Sequence, residues 1–353
     1  MRRMETQSGK QPRERNGRFA GKGKTPPGDR RRHGTGNEGG IGLVLSGGGA
    51  KGAFQAGVWK AMHELGLTRR VAAISGTSVG ALNAAAFAVV RDPEEICRFW
   101  RNRVGEVATP YLRKLTIGSF RRAAENVLAG KAFPFHGLLD RRALERLIRG
   151  LLPPLWPADA PQVTASSLEC RGKLFEEFRS RSYRLHRFRI DEEPDNDRRI
   201  AKLLASAAIP WGFDPVEIDG RRFVDGGWDE KGGENVPVTP ILRERPDIRT
   251  LVVVRCNSAE IEPAPLRARV PRGVRVVEIR PSSTLPGVLG DLSGLVPDIA
   301  RAKRIPVVGT LAEGMESVVR LLLAWSGTFA FDGAFARRYI ARGHADALAA
   351  LGG

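Results

Sequence analysis

The feature that most limits the fold is a repeated pattern of strand, glycine-rich turn and helix. Residues 41–47 (IGLVLSG) form an apolar run of strand length that ends in glycine, and a helical pattern follows as far as Gly66. Residues 71–75 (VAAIS) start the pattern again, with an apolar helix over 79–90. Continuous apolar runs are typical of strands buried on both faces of a parallel sheet. The pattern therefore predicts an α/β fold with right-handed crossovers.

The rest of the chain contributes further elements to one domain over residues 39–353. The patterns predict a helical insertion or cap at 91–160, a strand pair over 162–180, a helix over 198–210, a hairpin over 213–227 around Asp219-Gly220, strands at 250–256 and 274–281, and a C-terminal helix interrupted at Gly343. The sequence contains no internal repeat and no linker that divides this domain.

The 353-residue chain carries a net charge of +18, and a basic arm at its start holds part of it. Residues 1–38 contain eleven Lys and Arg against four Asp and Glu, which gives +7 and leaves +11 for the body. The arm has too few apolar residues to offset its ordering entropy, so we expect it to be disordered. Its charge suits an anionic membrane surface, or a solubilising tail without a partner. Phe19 is its only aromatic residue, which argues against nucleic acid.

Three widely spaced cysteines, Cys97, Cys170 and Cys256, predict neither a disulfide framework nor a metal site. A reducing, cytoplasmic location is expected, since no apolar segment follows the basic start as in a secretory signal. Residues 71–90 are uncharged over twenty positions. The Gly-Thr-Ser cluster within them favours a buried strand, turn and helix over a transmembrane segment.

Residues 76–80 (GTSVG) carry the G-x-S-x-G pattern between a predicted strand and a predicted helix. A nucleophilic serine needs such a tight turn to lift its hydroxyl out of the sheet, and the small flanking residues prevent clashes there. Gly76, Ser78 and Gly80 therefore predict a nucleophile elbow.

The glycine-rich stretch before Lys51 admits three interpretations. Gly47, Gly49 and Gly52 match the dinucleotide fingerprint, but no carboxylate ends the second strand to hold a ribose. A phosphate-binding P-loop would need Lys-Ser or Lys-Thr after Gly52, where Ala53 and Phe54 stand. Backbone amides beside a nucleophile suit an oxyanion hole, so no cofactor is predicted.

The serine needs a base, and two candidates remain. The chain order of an α/β-hydrolase triad leaves only His344, which lies in a helical pattern typical of a surface histidine. Asp225 ends a predicted strand and precedes two glycines. A carboxylate within reach of the serine hydroxyl can accept its proton and later activate water.

The glycine-rich loop, GTSVG and the Asp-Gly-Gly of 225–227, in this order, resemble the patatin-like phospholipases, as does the stretch 205–227. The resemblance implies a three-layer α/β/α fold with a mainly parallel sheet. It implies Ser78 as nucleophile and Asp225 as base, with Gly47, Gly48 and Gly49 forming the oxyanion hole. Lys51, Gly52, Gly76, Gly80, Gly226 and Gly227 complete the motifs. The loop 228–234 is longer than the family usually has, so Trp228 and its neighbours are expected to alter access.

These features predict a lipid acyl hydrolase that cleaves carboxylic esters of phospholipids or other lipids. An apolar channel for the acyl chain is expected from residues 91–160 and 318–331, with ordinary core packing as the alternative. Peripheral contact with an anionic membrane is also expected. Two other functions remain open at this point: a carboxylesterase with a Ser-Asp-His triad through His344, and a lipid-binding protein without activity.

Overall fold

A computed structural model describes most of the domain. The described residues are 40–108, 140–170, 183–209, 213–228, 232–257, 266–283 and 330–352, together with 285 and 328. The basic arm at 1–38 lies outside them, as do residues 318–327 of the predicted channel. The assignment of residues 1–38 to an arm therefore stays a prediction.

Eight strands form one mixed, mostly parallel sheet. They are β1 (Ile41–Leu45), β2 (Val71–Thr77), β3 (Gln162–Cys170), β4 (Tyr183–Arg189), β5 (Val216–Ile218), β6 (Arg221–Asp225), β7 (Thr250–Val254) and β8 (Arg275–Ile279). The order is β5-β6-β3-β2-β1-β7-β8, and β4 pairs with β3. The pairs β1–β2, β1–β7, β2–β3 and β7–β8 are parallel, whereas β4, β5 and β6 run antiparallel to their partners. The parallel centre matches the fold class expected from the apolar runs.

Seven α-helices are described. They are α1 (Gly52–Glu64), α2 (Val79–Val89), α3 (Pro93–Arg103), α4 (Arg141–Leu151), α5 (Asn196–Ser206), α6 (Thr239–Glu244) and α7 (Gly333–Leu351). Asp side chains cap the N-termini of α3, α4, α5 and α7 by accepting backbone N–H bonds. These caps fix where the polar segments of the chain enter helices.

The helices cover both faces of the sheet in three layers. Alternate residues of β1 divide between the faces: Leu43 and Leu45 join the larger apolar core with α1, α2 and α7, and Val44 joins the smaller core with α6. Side chains of a strand alternate between faces, so an apolar run such as β1 must be covered on both sides. The two cores account for the unbroken hydrophobicity of β1 and β7.

Two local predictions differ from the structure. The C-terminal helix α7 runs through Gly343 without interruption, and the glycine permits a close crossing with α1, because a Cβ there would lie 2.0 Å from the carbonyl oxygen of Phe54. Of the strand pair predicted over 162–180, residues 162–170 form β3, and residues 173–180 lie outside the described part. Helix α5 ends at Ser206, before the predicted stop at Pro210.

Within the described ranges, no helix combines the length and apolar character needed to cross a bilayer. Residues 71–90 form β2 and α2, the strand, turn and helix expected from their Gly-Thr-Ser cluster. Cys97, Cys170 and Cys256 are buried.

Candidate active site

Ser78 occupies a strained turn between β2 and α2. Its backbone has φ 57° and ψ −130°, a conformation that costs non-glycine residues about 1–3 kcal/mol and persists only where the surroundings enforce it. The side chain is buried. The turn that G-x-S-x-G predicts is therefore present, with Ser78 as its strained residue.

Hydrogen bonds from a neighbouring helix hold this turn. The Ser78 N–H donates to Ser206 Oγ at 3.1 Å, and the Ser206 hydroxyl donates to the Ser166 carbonyl oxygen at 2.6 Å. Ser206 ends α5 and Ser166 lies in β3, so the strained residue is tied to two elements beyond its own strand and helix. Nothing in the sequence marked Ser206, since a serine at a helix end carries no motif.

Gly76 and Gly80 are required by close packing around Ser78. A Cβ at Gly76 would lie 2.2 Å from the carbonyl oxygen of Gly80, and a Cβ at Gly80 would lie 2.3 Å from that of Leu45. Real Cβ atoms do not approach backbone this closely, so α2 can start against β1 and β2 only if both positions lack side chains. Gly52 does the same for α1, where a Cβ would meet Val79 and Trp100.

Asp225 reaches the serine through the register of β3. Thr77, the last residue of β2, pairs with Ser166, and Asp225, the last residue of β6, pairs with Ser167. Because β2 is parallel and β6 antiparallel to β3, their carboxyl ends meet at adjacent positions along it. The residue after Thr77 and the carboxylate of Asp225 are thereby brought together. The structure thus joins two residues that are 147 positions apart in sequence.

Burial sets the ionisation of Asp225. The desolvated side chain has its pKa raised from 3.8 to about 6, although hydrogen bonds from the Ser78 side chain and the Gly227 N–H act to lower it. Gly227 N donates to Asp225 Oδ1 at 2.8 Å. Position 226 has no room for a side chain, since a Cβ there would lie 2.3 Å from the Ser166 carbonyl oxygen. Both glycines after Asp225 therefore shape its turn.

The three glycines of the loop after β1 have different surroundings. The Gly47 N–H donates to Asn235, both to its backbone oxygen at 3.2 Å and to Oδ1 at 3.1 Å. In the part of the chain described, the amides of Gly48 and Gly49 donate to no acceptor. Gly49 has φ 56°, in the left-handed region that suits glycine. The Gly47 amide is thus engaged within the protein, and an oxyanion hole at these glycines stays a prediction.

Lys51 lies inside the protein. Its side chain is buried, its Nζ donates to Asn257 Oδ1, and burial lowers its pKa from 10.5 to about 8. Cys256, which opposes this shift, also packs against the glycine loop: a Cβ at Gly48 would lie 2.5 Å from its Cβ. Lys51 therefore supports the loop from beneath.

Asn235 links the two loops that flank the serine. Its Oδ1 would lie 2.5 Å from a Cβ at Gly47 and 2.8 Å from one at Gly227, so the amide fits between two positions without side chains. The preceding residue extends the contacts, because Glu234 N donates to Gly226 O at 2.8 Å and its carbonyl accepts from Thr77 Oγ1 at 2.7 Å. Residues 234 and 235 thus touch all three sequence motifs.

A buried ion-pair cluster anchors these two residues. The Glu234 carboxylate accepts from Arg269 at 2.6 Å and from Arg187 at 2.8 Å, and Thr239 Oγ1 donates to it at 2.6 Å. Breaking a buried pair leaves an uncompensated charge and is strongly destabilising. The unusual loop noted at 228–234 therefore ends in a fixed point next to the candidate site. Trp228 at its start packs against Tyr183, with ring centroids 5.8 Å apart and the ring planes tilted by 52°.

The structure separates His344 from this site. His344 lies in α7, and its Nε2 is 2.7 Å from Glu64 Oε2 in an exposed pair at the surface. Neither Ser78 nor Asp225 is a hydrogen-bond partner of His344 among the described residues. Among the described residues, no group of three or more His, Cys, Asp and Glu side chains is arranged to hold a metal ion.

An apolar pocket opens beside Ser78. Its lining comes from α2, α3, α4, α5 and the segments that follow them, and the polar members are few. Residues of the predicted channel regions contribute, among them Phe99, Leu144, Leu147 and Phe331. Ser78 and Gly49 belong to the same lining, so the strained serine and the glycine loop face an apolar space.

A family comparison agrees with these features. The model of the patatin-like phospholipase family matches residues 43–242, more than half of the chain. The chain belongs to the patatin-like phospholipase family. The match contains the glycine loop, Ser78, Asp225 and Asn235, whereas the supporting residues Cys256, Asn257 and Arg269 lie beyond it.

Individual relatives of this patatin-like chain are distant or partial. Lysophospholipase nte1 of Aspergillus terreus is 46% identical over 61 residues, which are 17% of this chain and 4% of that protein. VipD of Legionella pneumophila has 15% identity and a TM-score of 0.37, with 82% of this chain and 67% of that chain covered. Human GIVD cytosolic phospholipase A2 in complex with methyl gamma-linolenyl fluorophosphonate has 12% identity and a TM-score of 0.36, with 88% and 60% covered. The patatin-like chain thus spans only a small part of the curated relative it matches.

Proposed function

We propose that the protein is a serine hydrolase of lipid carboxylic esters, with Ser78 as nucleophile and Asp225 as base. The observation that carries this proposal is the meeting of Ser78 with a buried carboxylate at the ends of β2 and β6, beside an apolar pocket. Membership of the patatin-like phospholipase family supports the same conclusion.

The reaction follows from the positions of these groups. Ser78 Oγ attacks the ester carbonyl carbon while Asp225 takes the hydroxyl proton. The carbonyl oxygen gains negative charge, which the N–H groups of Gly48 and Gly49 stabilise. The C–O bond to the alcohol then breaks, and Asp225 returns the proton to the leaving alcohol. Water attacks the acyl-serine with Asp225 again as base, and Ser78 leaves with the proton as the fatty acid is released.

The electrostatics of Asp225 suit this role. A pKa of about 6 leaves the carboxylate ionised at neutral pH and still basic enough to accept a proton in the transition state. The Oδ2 atom of Asp225 is buried, and no donor among the described residues makes a well-formed hydrogen bond to it. This oxygen can therefore accept the proton of the Ser78 hydroxyl. Activity should therefore be lost as the pH falls through about 6, because protonated Asp225 cannot act as base.

The pocket argues for a lipid acyl group over a small polar ester. Burying each methylene of an acyl chain is favourable by about 0.8 kcal/mol, and the pocket offers apolar side chains along its length. Lining from α3 and α4 supports the expectation that residues 91–160 contribute to the channel.

Peripheral contact with an anionic membrane is part of the same proposal. Helix α4 turns Leu147 and Ile148 inward to the pocket, whereas Arg142 and Arg146 are exposed on its outer side. Leu155, shortly after α4, is 80% exposed. Basic residues and an exposed leucine beside a lipid pocket suit the headgroup region of an anionic bilayer, where each basic residue contributes about 1 kcal/mol.

The test is release of fatty acid from mixed vesicles of phospholipids that differ in acyl length. Ser78→Ala and Asp225→Asn should abolish release while the circular dichroism spectrum stays unchanged. Anionic vesicles should be hydrolysed faster than zwitterionic ones. Activity that survives Ser78→Ala would disprove the assignment.

His344→Ala is the matched control for the base. His344 pairs with Glu64 at the surface, so its loss should leave hydrolysis within about twofold of the parent. A loss as large as that of Asp225→Asn would instead favour a triad through His344.

A further inference from the structure

The pocket beside Ser78 runs along one face of α2. The lining residues of this helix are Val79, Leu82, Asn83, Ala85 and Ala86, which follow Ser78 by one, four, five, seven and eight positions. Residues three and four apart share a helix face, so these five form one stripe that starts at the serine. Ala86 therefore lies at the end of the pocket that is farther from Ser78.

Helix α3 follows α2 after a connection of only three residues, 90–92. Trp100 Nε1, near the other end of α3, donates to Asn83 Oδ1 at 3.2 Å, so α3 runs back along α2. Ile96, one turn before Trp100, therefore lies level with Ala86, at the far end. Both side chains are almost fully buried and belong to the pocket lining at this end.

Helix α4 lines the pocket along an independent path. Asp140, its N-cap, donates its N–H to Val107 O at 2.8 Å, and a Cβ at the nearby Gly105 would lie 3.7 Å from the oxygen of Phe331. Phe331 follows Thr328, which packs against Gly49 in the loop beside Ser78. Leu144 at the start of the lining is thus near the serine, and the buried Leu152 is at the far end.

The two helices give the same pocket length. Ser78 to Ala86 and Leu144 to Leu152 each span eight residues, and a helix rises about 1.5 Å per residue, so each path is about 12 Å long. The zigzag of an extended acyl chain advances about 1.3 Å per C–C bond, so a chain of about ten carbons covers this distance. We propose that the pocket selects medium-chain acyl groups of up to about ten carbons, with Ala86 and Ile96 as its floor.

This inference rests on the proposed function and predicts a break in chain-length selectivity. Each methylene that enters the pocket should raise kcat/KM about fourfold, the value expected from apolar burial. Carbons beyond the floor gain no further contact. The value of kcat/KM should therefore rise steeply to about ten carbons and then level off or fall.

The experiment measures kcat/KM for p-nitrophenyl esters with even acyl lengths from four to fourteen carbons, each below its micellar concentration. Ala86→Leu should move the break to acyl chains shorter by about two carbons, because the new side chain occupies the last part of the pocket. Ile96→Ala should move the break to longer acyl chains. If Ala86→Leu does not fold, Ile96→Ala alone tests the pocket assignment. Ala341→Leu, the same change at an exposed position of α7, should leave the profile unchanged.

The outcomes separate this inference from the proposed function. A break near ten carbons that moves in opposite directions in the two pocket variants supports it. Hydrolysis that depends on Ser78 but rises without a break to fourteen carbons, or a break unmoved by both variants, overturns the pocket assignment alone. Absence of Ser78-dependent hydrolysis for every ester overturns the proposed function and this inference with it.

Discussion

Replacing Asp225 by Asn should stabilise the protein, and the gain should depend on pH. Burial raises the pKa of Asp225 from 3.8 to about 6, so the folded protein holds this proton more tightly than the unfolded chain. The resulting stability is complete below pH 4 and is lost as the pH rises through 6. At about 1.4 kcal/mol for each tenfold change in the ionisation constant, the loss is about 3 kcal/mol. An Asn side chain has no charge to bury, so the variant avoids this loss of stability.

The assay is urea or thermal unfolding of the parent and Asp225→Asn at pH 4 and pH 8. Between these values the stability of the variant relative to the parent should increase by about 3 kcal/mol, or on the order of 5 °C in Tm. The Asn side chain keeps an oxygen that can accept from Gly227 N–H, so the turn is preserved. The gain comes with loss of hydrolysis, as expected where a site stores unfavourable electrostatics.

Asp219→Asn is the matched control with the opposite sign. Asp219 is exposed in the β5–β6 turn, and its hydrogen bond with Arg198 lowers its pKa. It therefore adds stability above the unfolded pKa, and that contribution is lost at low pH. Asp219→Asn should be slightly less stable than the parent at pH 8 and equal to it at low pH. If Asp225→Asn showed no pH-dependent gain, the buried and weakly acidic carboxylate would be refuted.

Three further substitutions test how the site is held in place. Ser206→Ala leaves the Ser78 N–H without its acceptor. Steady-state kinetics should therefore show kcat lowered about tenfold, with KM nearly unchanged. A kcat equal to that of the parent would show that Ser206 does not hold the turn. Asn235→Ala removes the side-chain amide that lies between Gly47 and Gly227. The variant should still fold, and the rate at which a fluorophosphonate labels Ser78 should fall about tenfold. An unchanged rate would exclude Asn235 as a positioning residue. Gly80→Ala places a Cβ 2.3 Å from Leu45 O. Denaturant unfolding should show a free energy of unfolding lower by about 3 kcal/mol. Stability equal to that of the parent would contradict the close packing of α2 on β1.

Local chemistry made part of the fold predictable. The units β1–α1 and β2–α2 follow from apolar runs and glycine turns that act within a few residues. The Asp219-Gly220 hairpin is confirmed, with φ 52° and 69° at the two turn residues. The same reasoning failed at Gly343, because the glycine serves a contact with Phe54, which lies far away in sequence.

The site was predictable in its members but not in its assembly. Ser78 and Asp225 each lie in a recognisable local pattern, whereas their meeting depends on which β3 residues pair with β2 and β6. Sequence order does not give that register. The roles of Ser206 and Asn235 depend on hydrogen bonds across the fold, so no local pattern in the sequence identifies either role.

The most direct test of the Ser78–Asp225 pair is covalent labelling with an uncharged fluorophosphonate, followed by peptide mass spectrometry. If Asp225 is the base for Ser78, a single phosphonyl adduct should form on Ser78. It should form at least about a hundredfold more slowly in Asp225→Asn than in the parent at pH 8. An adduct on another residue, or equal rates of labelling in the two proteins, would contradict it.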